Sequence, residues 1–123
     1  MKTDLLNRED IEQLINLFYD KVKEDSVIGY IFNDVVKVNW EKHLPVMYSF
    51  WGNALFYTGG YTGDTMNIHR HLSRISPLTK EHFEQWERLF IQTVDELFEG
   101  PNAELAKQRA LSISTVMQIK LIP

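Results

Sequence analysis

The sequence predicts an all-α fold, and three observations carry that prediction. Apolar residues recur at helical spacing in four separate segments, cap and stop residues bracket those segments, and no stretch alternates apolar and polar residues as a strand would. With 123 residues, 44% apolar and 24% charged, the chain is expected to be a single domain spanning 1–123 with one core.

The first helix starts where Asn7 is followed by Asp10, a pairing that resembles a capping box. Ile11, Leu14, Ile15, Phe18 and Val22 form its stripe, which runs to about Lys23, and Tyr19 lies at the stripe's edge with a hydroxyl free to enter a cavity. Asp25-Ser26 opens a short apolar turn that passes Phe32 and ends at Asn33-Asp34. A second long helix begins near Asn39, with Trp40, His43, Leu44, Met47, Trp51 and Ala54 along one side. Pro45 is comfortable only in a first turn, so the regular helix is expected to begin nearer Leu44, after a looser turn.

Thr58 to Asp64, TGGYTGD, holds three of the six glycines and is expected to be a loop. A short segment carrying His69 comes next. Pro77 to Thr79 then starts a third long helix, with Glu81 in its first turn and Phe83, Trp86, Phe90, Thr93, Val94 and Leu97 as its face. It ends near Glu99, Gly100-Pro101 separates it from the next helix, and Ala106, Ala110, Ile113, Met117 and Leu121 line that last one. The sum is four substantial helices and two short ones.

Composition narrows the function. The net charge is −4, and no run of Lys and Arg marks a face for nucleic acid. There is no cysteine, which excludes a disulfide framework, a thiolate metal site and a Cys nucleophile. The charged N-terminus lacks an apolar core for a signal peptide, and the apolar run from Val27 to Phe32 is too short to span a bilayer, so the expectation is a cytoplasmic protein with no membrane partner. Seven Phe, five Tyr and three Trp must be buried against each other or against a bound group.

The stretch from Met66 to Phe90 holds three of the four histidines and one tryptophan. No histidine has a Glu three residues before it, which excludes the paired Glu-x-x-His of di-iron bundles, and there is no His-Glu-x-x-His, P-loop or Gly-x-Ser-x-Gly elbow. His69 and His71, two apart, point to nearly opposite sides of a helix and cannot chelate one metal there. What remains is a distributed set, Tyr19, His43, His69 and Trp86, one on each of four segments. Taken singly, Trp86 reads as core and His43 as surface. Taken together, an imidazole faced by large aromatics on neighbouring helices suits a flat iron porphyrin.

The motifs then carry a resemblance. FYDKV at 18–22, WEKHLPVMYSFW at 40–51, the H-x-x-L-x-x-x-x-P-L run from His69, HFEQWERLF at 82–90 and ELAKQRA at 104–110 stand in an order and spacing that resemble the third group of the bacterial truncated haemoglobins, over nearly the whole chain. The resemblance implies a globin-like, two-over-two helical sandwich around haem b (iron protoporphyrin IX). It implies that His69 is the proximal iron ligand, by its spacing from Met66 and Pro77, with His71 as the rival. Tyr19 matches the distal tyrosine, Trp86 the distal tryptophan and His43 a distal histidine that acts as a gate. Met47 matches an apolar distal position, and Phe18 and Phe32 pack on the porphyrin. Pro45 departs from the family pattern and bears on the orientation of His43.

The implied partners are the diatomic gases O2, NO and CO. Hydrogen bonds from a tyrosine hydroxyl and an indole N–H to a partly charged ligand are each worth about 1.5–3 kcal/mol at most, so tight, slow binding is expected rather than oxygen delivery. Two other functions are set beside it: a nitric oxide dioxygenase or peroxidase-like haem enzyme with a separate, unknown reductase, and a haem-free helical interaction module.

Overall fold

A computed structural model describes residues 2–35, 39–56 and 78–121. They contain four long helices, α1 (Arg8–Glu24), α2 (Trp40–Phe56), α3 (Lys80–Leu97) and α4 (Pro101–Leu121), with a π-helical turn at Ile31–Val35. The glycine-rich loop expected at 58–64 and the segment with His69 and His71 lie outside the described residues. So does Pro77.

Each helix begins where its sequence can satisfy the first free N–H groups. Asn7 caps α1 by accepting the Asp10 N–H at 3.0 Å. The returning arm of the expected box reaches one residue further, since Asp10 Oδ2 accepts from the Leu6 N–H. At α3 the box is complete. Thr79 accepts from the His82 N–H, and His82 Nδ1 accepts from the Thr79 N–H at 3.1 Å.

The start of α4 is capped from the far end of the chain. Asp4 accepts from the Asn102 N–H at 3.0 Å and the Ala103 N–H at 2.8 Å, and Asn102 Nδ2 donates to the Leu5 carbonyl. Gly100, at φ 145°, makes the approach feasible, because a Cβ there would lie 2.5 Å from the Asp4 carboxyl carbon. Gly100 therefore serves the start of α4 more than the stop of α3, whose C-cap is Phe98 in extended conformation.

The expected loose turn before α2 is corrected by the structure. Regular helix begins at Trp40 and Pro45 lies inside it, with the Lys42 and His43 N–H groups both donating to the Asn39 carbonyl. Pro45 is tolerated because it sits only five residues in. The N–H it lacks would have served the Glu41 carbonyl, and both residues are exposed, so water can serve that oxygen instead.

The four helices form two pairs. α1 packs on α2 and α3 on α4, while α1 also crosses α3 and α2 crosses α4. The core between them contains Leu14, Ile15, Phe18 and Val22 of α1, Trp51 and Leu55 of α2, Phe90 and Val94 of α3, and Ala103, Ala106 and Ala110 of α4. Small residues on α4 let that helix approach closely. At the centre, Phe90 is stacked between Trp51 (4.6 Å) and Trp86 (5.7 Å) and meets Phe18 edge-on at 5.2 Å. Such ring pairs add about 0.5–1.5 kcal/mol each beyond area burial. Among the described residues, no helix is long and apolar enough to cross a membrane.

Candidate functional site

Phe18 and Tyr19 are consecutive, so on α1 their side chains diverge by about 100°. Both are buried because α1 is covered from two directions. Phe18 turns to α3, where its ring meets Trp86 at 5.8 Å and Phe90 at 5.2 Å. Tyr19 turns to α2, meeting Trp40 at 5.1 Å and His43 at 5.4 Å, and it meets Phe32 of the π-helical turn edge-on at 6.1 Å.

The expected distal residues are thus brought together unequally. Tyr19 and His43 are in direct ring contact, and Phe32 joins them. Trp86 is linked to Tyr19 through Phe18, whose ring touches both. Met47 lies one turn beyond His43 on α2, half-buried against the core. His43 is half-buried as well, between Tyr19 and Trp40, rather than at the surface position its residue type alone suggests. Trp86 is half-buried, so it is less enclosed than a core tryptophan.

Tyr19 is only 6% exposed, and burial raises its phenol pKa well above the ordinary value. Desolvation disfavours the phenolate, so the group stays a neutral O–H donor at any physiological pH. Asp25 joins the end of α1 to α3. It stops α1, accepts from the Val27 and Ile28 N–H groups at 2.9 Å each, and accepts from Gln85 Nε2 of α3 at 2.7 Å. Burial works against its charge, but the hydrogen bonds from Ile28, Gln85 and Val27 and the Arg88 charge outweigh that and lower its pKa.

Two contributors carried no sequence signal of their own. Trp40 appeared on the α2 face and at the head of the motif at 40–51 without a role of its own, yet its ring contacts Tyr19, His43 and Phe32 and lies under Lys23 Nζ, 4.6 Å from the ring centroid. His82 takes the place of the usual Glu or Gln in the α3 capping box, and its Nε2 is 3.1 Å from the Tyr30 hydroxyl.

The donor set fits haem on this side of the fold. A single-imidazole porphyrin site requires an apolar wall with a few polar groups rather than a cage of ligands. Among the described residues, no group of three or more His, Asp and Glu forms such a cage. The wall is present: Leu44, Met47, Phe50, Ala54 and Phe56 of α2, with Phe32 and Trp86, stay half-buried against the core that includes Tyr19.

Fold and site together describe a small two-layer helical protein with a tyrosine- and histidine-bearing aromatic wall, and the comparisons agree with it. The structure is similar to the crystal structure of the group III truncated haemoglobin from Campylobacter jejuni, with a TM-score of 0.86 and 30% identity, over 98% of this chain and 95% of that one. In sequence, the group 3 truncated haemoglobin ctb of Campylobacter jejuni is 31% identical over 121 residues, covering 96% of this chain and 93% of the relative. No family model matches the chain. At that identity and coverage, the chain belongs to the group III truncated haemoglobin family.

Proposed function

We propose that residues 1–123 form one haem-binding unit that binds diatomic gases, O2 foremost and NO and CO as well, in the cytoplasm. The observation that carries this reading is the edge-on contact of the Tyr19 and His43 rings, centroids 5.4 Å apart, a buried tyrosine beside an imidazole in an otherwise aromatic wall. His69 is assigned as the proximal ligand, with haem b as the cofactor. Tyr19, His43 and Trp86 are assigned to the distal side, and Phe18, Phe32 and Met47 to its apolar lining. When bound, ferrous haem supplies a coordination position at which a diatomic gas binds reversibly.

The protein's own groups decide how firmly such a ligand is held. Tyr19, kept neutral by burial, is a permanent donor toward any ligand that gains negative charge. His43 sits on the first turn of α2, its ring edge-on to those of Tyr19 and Trp40. The half-buried aromatic side chains exclude water and so strengthen each such hydrogen bond.

The same pair supports a second reading. A tyrosine packed against an imidazole suits proton-coupled chemistry on the ligand, as a nitric oxide dioxygenase or peroxidase-like enzyme supplied by a separate reductase requires. An absorption spectrum after haem addition tests the first reading, which expects a Soret band with one equivalent of haem; its absence leaves a haem-free interaction module. Stopped-flow mixing of the oxygenated protein with nitric oxide tests the second. Rapid oxidation that repeats under a supplied reductant supports an enzyme, and a single slow turnover supports a gas binder.

A further inference from the structure

Trp40 is the first residue of α2, and its ring occupies the outer side of the Tyr19–His43 pair. It is stacked on Phe32 at 6.1 Å with 26° between the planes, and its face lies under Lys23 Nζ at 4.6 Å. Tyr19 is buried, while Trp40 and Lys23 are both half-buried, the Lys23 side chain 34% exposed. Three elements therefore converge here, the end of α1, the π-helical turn and the start of α2. The Asn33 Nδ2 donor on the Lys23 carbonyl, at 2.8 Å, fastens the first two together.

We propose that Trp40 is a positioning residue for Tyr19 and His43, and that Lys23 clamps it in place, so that the pair sets how readily a diatomic ligand reaches the pocket. This rests on the haem-binding reading above. Trp40 and His43 are three residues apart on one helix face, so movement of the Trp40 ring alters the space in which the imidazole turns. Lys23 is well placed to hold the ring, since a cation in the last turn of α1 is favoured by the helix dipole. Its one competing charge among the described residues is Asp20, 3.9 Å away, with a side chain 70% exposed that holds Lys23 only weakly.

The test uses the haem-loaded protein and its ferrous CO complex. Lys23→Met removes the cation from a half-buried position outside the core while keeping an apolar stem of similar length, and it is expected to speed CO association about two- to fivefold after flash photolysis. Lys23→Arg keeps the cation over the ring and is expected to restore the wild-type rate. Trp40→Leu is expected to broaden and shift the infrared CO stretch, because the Tyr19 hydroxyl and His43 lose their fixed positions. Trp40→Phe, which still stacks on Phe32, is expected to do so less. If the wild type carries haem but Lys23→Met and Trp40→Leu keep its rate and CO band, the clamp is wrong and the haem reading stands. If the wild type takes up no haem, both fail.

Discussion

On the proposed haem-binding reading the Tyr19 hydroxyl is the chief distal donor, and its replacement is the sharpest single-residue prediction. Tyr19→Phe is expected to raise the O2 dissociation rate roughly ten- to hundredfold, the worth of one hydrogen bond to a partly charged acceptor. Stopped-flow ligand displacement measures it, and an unchanged rate would remove Tyr19 from the distal site. Because Tyr19 and Trp86 meet through Phe18 on separate helices, the double variant Tyr19→Phe/Trp86→Phe is expected to exceed either single change. A structural counterpart lies at Phe90, stacked between two tryptophans and fully buried. Phe90→Ala is expected to cost about 3–5 kcal/mol, read from urea unfolding, by leaving a cavity between Trp51 and Trp86. Tyr19 was legible in the sequence as an amphipathic residue at a stripe's edge. Trp40 was not legible as a site residue, because periodicity gives the face of a helix and not the neighbour that face meets.

Helix faces and starts were readable wherever local chemistry sets them. Asn7 and Thr79 cap α1 and α3 because a short polar side chain can reach an N–H three residues on, which is a local event. The start of α4 was half-readable. Gly100-Pro101 marks it, but the capping carboxylate comes from Asp4, 98 residues away from Asn102, and no local pattern announces that. Asp4→Ala is accordingly expected to lower stability by about 1–2 kcal/mol and to loosen the first turn of α4, visible as faster amide exchange at Asn102 and Ala103. The start of α2 was not legible from Pro45, because the usual restriction of proline to a first turn is relaxed where water can reach the exposed Glu41 carbonyl. Pro45→Ala is expected to stabilise the protein by about 2–3 kcal/mol at most, measured by the urea midpoint, since it restores the missing N–H donor to Glu41. The π-helical turn that presents Phe32 had no signal beyond a short apolar run.

For the molecule as a whole, the junction at Asp25 ties α1 to α3 and is expected to contribute to the loss of stability in acid. Its folded pKa lies below the ordinary value of 3.8. The stabilisation from its ionised form is therefore fully present above that value and lost as pH falls through the lower, folded one. Asp25→Asn is expected to flatten the loss of stability below about pH 4, monitored by thermal unfolding across that range. The pairing of α1 with α2 and of α3 with α4, and the membership of the group III truncated haemoglobins, rest on the whole chain rather than on any one motif. The ligand assignment at His69 is the claim on which the functional account turns. It is tested most directly by haem titration of the wild type, His69→Ala and His71→Ala, with absorption spectra of the ferrous forms. The account predicts stoichiometric uptake and a histidine-ligated ferrous spectrum for the wild type and His71→Ala, with both lost in His69→Ala. An intact spectrum in His69→Ala, or its loss in His71→Ala instead, would contradict it.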